Sequence, residues 1–159
     1  MSAPAHLLSA IDPLSVEAID GSSYPDEFKA PVAGRSKRRL GDALGLKNFG
    51  VNLSTIKPGS CSALRHWHTR QDEFVYILSG ELVLVTDDGE QALCPGMVAG
   101  FPAGKADGHH LINRGNIDAV YLEVGDRTAG DEVDYPDEDL AARITPQGRR
   151  FMHKDGTLY

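Results

Sequence analysis

At 159 residues the chain has the length of a single domain, and 41% hydrophobic with 25% charged residues is the balance of a soluble globular protein. A net charge of -7 argues against a nucleic-acid partner, since a polyphosphate rewards a basic surface. Apolar runs such as LVLV at 82–85 are strand-sized, far short of the roughly 20 residues of a membrane-spanning helix, so no membrane partner is expected.

The chain opens on MSAPAHLLSAID, which has neither the basic stretch nor the continuous apolar run of a secretory signal, and a cytoplasmic location is expected. Residues 1–45 read as an N-terminal arm. Within it DPLSVEAID at 12–20 predicts a brief helical turn, and YPDEFKAPVAG at 24–34, with its prolines, reads as extended. RSKRR at 35–39 is a basic cluster, expected either as a solvated segment or as a place where Arg35, Lys37, Arg38 or Arg39 meets an anionic group on a ligand or partner. RRLGDALGL offers one weak helical turn around Leu40, Ala43 and Leu44.

The texture changes over 46–125. NFGVNLSTI, EFVYIL, ELVLVT, GMVAGF, HHLINR and AVYLEV are short runs rich in β-branched and aromatic residues, separated by turn signals such as KPGS, TDDGEQ and FPAG. No long helical period lies between them, so an all-β, antiparallel sandwich or barrel is expected. Residues 126–159 return to arm-like composition, with a strongly acidic stretch, DEVDYPDED at 131–139, expected to be solvated. Arms that cover a sheet edge or exchange with a neighbour make a homodimer the expected assembly. His6 and His153 fall in these arms and are expected as solvated side chains. Cys61 and Cys94 are too few for a disulfide framework and are expected as reduced thiols packed as small apolar groups.

The chemistry concentrates in LRHWHTRQDEF at 64–74. If ALRHWH is a strand, its period of two puts Leu64, His66 and His68 on one face and Arg65 and Trp67 on the other. Two imidazoles so spaced can reach one ion. After the short turn TRQD, Glu73 opens the next run and can bring an oxygen ligand to the same ion. Val75 and Ile77 share its face as an apolar lining, and Tyr76 points outward. Nitrogen-rich donors with open positions suit a divalent transition metal rather than calcium or magnesium.

Together with a second stretch, GMVAGFPAGKADGHHLIN, these residues resemble the cupin superfamily. Its first motif, G-x5-H-x-H-x3,4-E-x6-G, matches from Gly59 through His66, His68 and Glu73 to Gly80, with one extra residue after the first glycine. Its second, G-x5-P-x-G-x2-H-x3-N, matches at Gly96, Pro102, Gly104, a histidine and Asn113, with two extra residues before that histidine. The resemblance implies a double-stranded β-helix, or jelly-roll barrel, over residues 46–125, with both arms outside it. It implies one divalent transition metal ion (Zn, Mn, Fe, Ni, Co or Cu) on His66, His68, Glu73 and His109. The spacing to Asn113 selects His109, and strand alternation places His109, Leu111 and Asn113 on one side; His110 is the alternative ligand.

The ligand set leaves several chemistries open, all on a small-molecule substrate or ligand. One is Lewis-acid chemistry like that of phosphomannose isomerase, in which a basic segment meets a phosphate. Others are a metal-dependent dioxygenase, a lyase or decarboxylase, and a non-catalytic small-molecule-binding cupin.

Overall fold

The computed structural model describes residues 9–159; His6 lies outside them. Strands β1 (Ile19–Asp20), β2 (Arg35–Arg39) and β3 (Phe49–Ile56) come first, with a one-turn helix α1 (Leu40–Ala43) between the last two. There follow β4 (Trp67–His68), β5 (Glu73–Ser79), β6 (Leu82–Thr86), β7 (Gly89–Leu93), β8 (Val98–Phe101), β9 (His110–Ile112) and β10 (Ala119–Asp126). The last three are β11 (Glu132–Tyr135), β12 (Leu140–Thr145) and β13 (Gly148–Met152). The pairings among these strands are antiparallel, in sheets ordered β1-β2-β3-β10-β5-β8, β13-β12-β11-β4 and β7-β6-β9.

Alternation along each strand builds the core. On β5 Val75 and Ile77 are buried, while Phe74, Tyr76 and Leu78 face out. Those inward residues join Ile56, Ala119 and Tyr121 from the large sheet and Leu82, Leu84, Leu93 and Leu111 from the small one. Two sheet faces therefore close on each other as a sandwich, each burying the apolar side of its pleat. Gly80 turns the chain between β5 and β6 at φ +72, and a Cβ there would lie 2.7 Å from the Ala119 Cα. Only glycine meets both demands.

Segments outside 46–125 are built into the sheets. Strand β2 hydrogen-bonds along β3 and covers its edge. YPDEFKAPVAG is not extended: it forms 3-10 turns at Asp26–Phe28 and Ala30–Val32, for which Pro25 and Pro31 preset φ. Tyr24 and Val32 then pack with Leu64, Val133, Tyr135, Leu140 and Ala142 in a second core. The acidic stretch is not simply solvated either. Asp131 is fully buried, and Asp137 pairs with Arg65 at 2.6 Å. His153 lies 2.9 Å from Asp139 and stacks on Tyr159. Cys61 is half-buried beside the second core, but Cys94 is exposed, because its turn carries it off the sheet edge. Among the described residues no helix is long and apolar enough to cross a membrane.

Candidate metal centre

The strand expected over ALRHWH is shorter than its pattern, since residues 62–65 bend and regular pairing is confined to β4. The face assignment survives because His66 is itself pinned across the sandwich. It bridges His109, with His66 N to His109 O at 3.2 Å and His109 N to His66 O at 2.9 Å. Directly opposed residues present their side chains to the same face, so both imidazoles enter one cavity. His68 follows by alternation. Glu73 enters from β5, and Val75 lines the cavity beside it.

The imidazoles converge on one carboxylate oxygen. Glu73 Oε2 lies 3.0 Å from His109 Nε2, 3.5 Å from His66 Nε2 and 3.6 Å from His68 Nε2. Ligand atoms of His66, His68 and Glu73 lie within 4.8 Å of one another, and His109 joins through its contact with Glu73. Its ring lies flat on Phe101, at a centroid distance of 3.6 Å. His110 does not join. It is half-buried at the cavity rim, not fully outward, and its Nδ1 lies 3.1 Å from the Ala63 carbonyl.

The far sides of two rings are held. His66 Nδ1 lies 2.8 Å from the Leu64 carbonyl oxygen, and His68 Nδ1 lies 2.6 Å from Asp131 Oδ2. A carbonyl or carboxylate only accepts, so each Nδ1 carries a proton and each ring turns its Nε2 inward. Burial pushes the His66 imidazolium down despite Glu73, which keeps that ring neutral. Burial also pushes the Glu73 carboxyl up, but the hydrogen bond from His109 and the imidazoles gathered around it outweigh that. The net result is a carboxyl well below its ordinary range. Acceptors therefore face one another at 3.5 and 3.6 Å, an arrangement that wants a cation between them. The donor set fits a divalent transition ion, with imidazole and carboxylate ligands matched to borderline metals.

Several contributors to the cavity were not visible in the sequence as site residues. Asp131 orients His68 and is itself fixed by the Arg70 N–H at 2.8 Å. Tyr121 and Glu123 reach in from β10, and Arg149 from β13. Arg35 and Lys37, on alternate positions of β2, also line the cavity, so the RSKRR cluster is not a purely solvated segment. Asn113, the last residue of the second motif, has another role. It donates to the Ile56 and Ile117 carbonyls at 2.7 and 2.8 Å, and so ties down the turn after β9.

An antiparallel sandwich that gathers three imidazoles and a carboxylate in its cavity defines a cupin-type domain. A family described as Cupin domain matches residues 52–125. A sugar phosphate isomerase from a cupin superfamily, from Silicibacter pomeroyi, is 45% identical over 94% of this chain and 96% of that one, with a TM-score of 0.90. The chain belongs to the cupin superfamily. A protein of Acidithiobacillus ferrooxidans, provisionally a sugar phosphate isomerase, is 32% identical over 79% of this chain and 80% of that one, with a TM-score of 0.71. The polyketide cyclase RemF of Streptomyces resistomycificus shares the fold at 19% identity and a TM-score of 0.62, over 75% of this chain and 79% of that one. Comparison with curated proteins gave no match.

Proposed function

We propose that this cupin is a metal-dependent isomerase acting on a sugar phosphate. The observation that carries the reading is the placement of Arg35 and Arg149 around the same cavity as His66, His68, Glu73 and His109. A phosphate at one end of a short sugar needs cationic donors, and the reactive carbonyl at the other end needs a polarising centre. The similarity to the two sugar phosphate isomerases supports the same assignment.

A divalent transition ion held by His66, His68, Glu73 and His109 would polarise the substrate carbonyl and its neighbouring hydroxyl, making the adjacent C–H more acidic. The protein's own residues do the rest. Arg35 is tied down through Nη1 to the Ser62 carbonyl at 2.6 Å and through Nη2 to the Gly21 carbonyl at 2.8 Å. Its Nε is buried without a partner, and these two bonds hold its charge at the cavity wall. Arg149 supplies a second guanidinium, a planar fork matched to phosphate. Ser22 and Ser23 also line the cavity. Val75, Phe101 and Leu111 add apolar surface to the cavity that limits water around the reacting carbons.

The test is NMR of candidate aldose and ketose phosphates in D₂O with metal-loaded protein under nitrogen. Deuterium should enter the carbon next to the carbonyl, and the two sugars should interconvert. The unphosphorylated sugars should react poorly. Arg149→Ala should lower kcat/KM by about 10- to 100-fold, as expected for the loss of a charged hydrogen bond, chiefly through KM and with metal content unchanged. Oxygen uptake with enols, in place of exchange, would transfer the assignment to a dioxygenase.

A further inference from the structure

We infer that Glu123 is the catalytic residue that carries the proton between the two reacting carbons, an inference that rests on the isomerase reading above. Alternation on β10 turns Ala119, Tyr121 and Glu123 inward together; the first two are buried at 0% and 1% exposure in the apolar core. The next inward position holds a carboxylate whose side chain is 18% exposed. An ionised group at the boundary of an apolar core is costly unless partnered. Glu123 is partnered. Lys37 Nζ lies 2.7 and 2.9 Å from its two oxygens, Asn52 Nδ2 donates at 3.0 Å, and the Tyr121 hydroxyl donates at 3.2 Å. The three donors make four contacts, two on each oxygen, and fill about the four lone-pair sites a carboxylate offers, so a substrate takes the place of the longest of them, the Tyr121 hydroxyl.

Position matters as much as chemistry. Glu123 stands opposite Val75, and Gly125 stands opposite Glu73, so Glu123 and Glu73 are diagonal neighbours on the inner face. Such neighbours lie roughly 7–8 Å apart, enough for two adjacent carbons between the metal donors and a base. Both residues line the same cavity. Burial pushes the Glu123 carboxyl up, but the Lys37 charge and the hydrogen bonds from Lys37 and Asn52 bring it below its ordinary value. The base form therefore prevails near neutral pH.

The step balances within the substrate. Glu123 takes the proton from the hydroxyl-bearing carbon next to the carbonyl. The electron pair of that C–H bond forms the C=C bond of an enediolate as the carbonyl pair moves onto its oxygen, and that oxygen takes the proton of the neighbouring hydroxyl. Glu123 then returns its proton to the former carbonyl carbon as the oxygen that passed its proton across becomes the carbonyl. One carbon is oxidised and its neighbour reduced, with no outside oxidant.

Glu123→Gln keeps the shape and most of the hydrogen bonds but cannot carry the proton. It should fall in kcat by about 10²- to 10⁴-fold, the usual contribution of a general acid–base group. KM and metal content should hold, and deuterium entry should be lost. Exchange at the wild-type rate, or loss of the metal together with activity, would make Glu123 a structural ion-pair partner and overturn the inference. Should the glutamine variant fail to fold, Glu123→Asp keeps the charge and withdraws it by one methylene; undiminished kcat there overturns the inference equally. If the wild-type protein itself exchanges deuterium into no sugar phosphate, the isomerase reading fails first, and this step fails with it.

Discussion

His109→Ala is expected to empty the metal centre, while His110→Ala leaves it loaded. The two side chains are neighbours in the chain, yet the antiparallel bridge between His66 and His109 puts only one of them on the inner face. His109 Nε2 reaches within 3.0 Å of Glu73 Oε2, whereas His110 directs its Nδ1 to the Ala63 carbonyl. Loss of a direct ligand should cost more than the roughly 10- to 100-fold in affinity that follows loss of an outer-shell partner. Glu73→Ala should be at least as severe, since it removes the carboxylate on which all three Nε2 atoms converge. Elemental analysis and competitive metal titration of the three variants read this directly. Equal losses at positions 109 and 110 would refute the ligand set.

Asp131→Ala should weaken metal binding by about 10- to 100-fold although the residue lies outside the ligand set. Its carboxylate is fully buried, 2.6 Å from His68 Nδ1, and holds that ring with Nε2 inward. Without it the imidazole is free to rotate or to change tautomer, and the lone pair presented to a metal is lost for part of the time. The Arg70 N–H loses its acceptor as well. Stranding buried donors costs about 1–3 kcal/mol each, so at about 2 kcal/mol in total the melting temperature of a domain this size should fall by about 4–8 °C. Asp131→Asn separates the two effects. The amide oxygen can still accept from one donor, so the melting temperature should drop less, while the charge that favours the inward tautomer is gone and metal affinity should remain low. Unchanged affinity in both variants would reduce Asp131 to a packing residue.

That His66, His68, Glu73 and His109 come together was legible because their signals are local. His66 and His68 are an alternate pair, Glu73 follows a short turn, and His109 is selected by its distance to Asn113; the motifs carried each placement without knowledge of the fold. Inward Val75 and Ile77 and outward Tyr76 came from the same period of two. Other features misled for equally physical reasons. A proline-rich run reads as extended, yet prolines also preset 3-10 turns, and only the packing of Tyr24 and Val32 against β11 and β12 chose between them. An acidic run reads as solvated because its charge is visible, whereas the partner that buries Asp131 is not.

What the amino-acid order determined by itself was the all-β class, the cupin motifs and the four candidate positions for a metal, each resting on spacings of a few residues. Only the tertiary structure decided how that quartet is oriented and which chemistry surrounds it. His68 and Asp131 are 63 positions apart, and Lys37 and Glu123 are 86 apart. No periodicity links residues at such separations. Sheet register does, because antiparallel pairing brings β2, β3, β10 and β5 side by side and aligns their inward positions across one cavity.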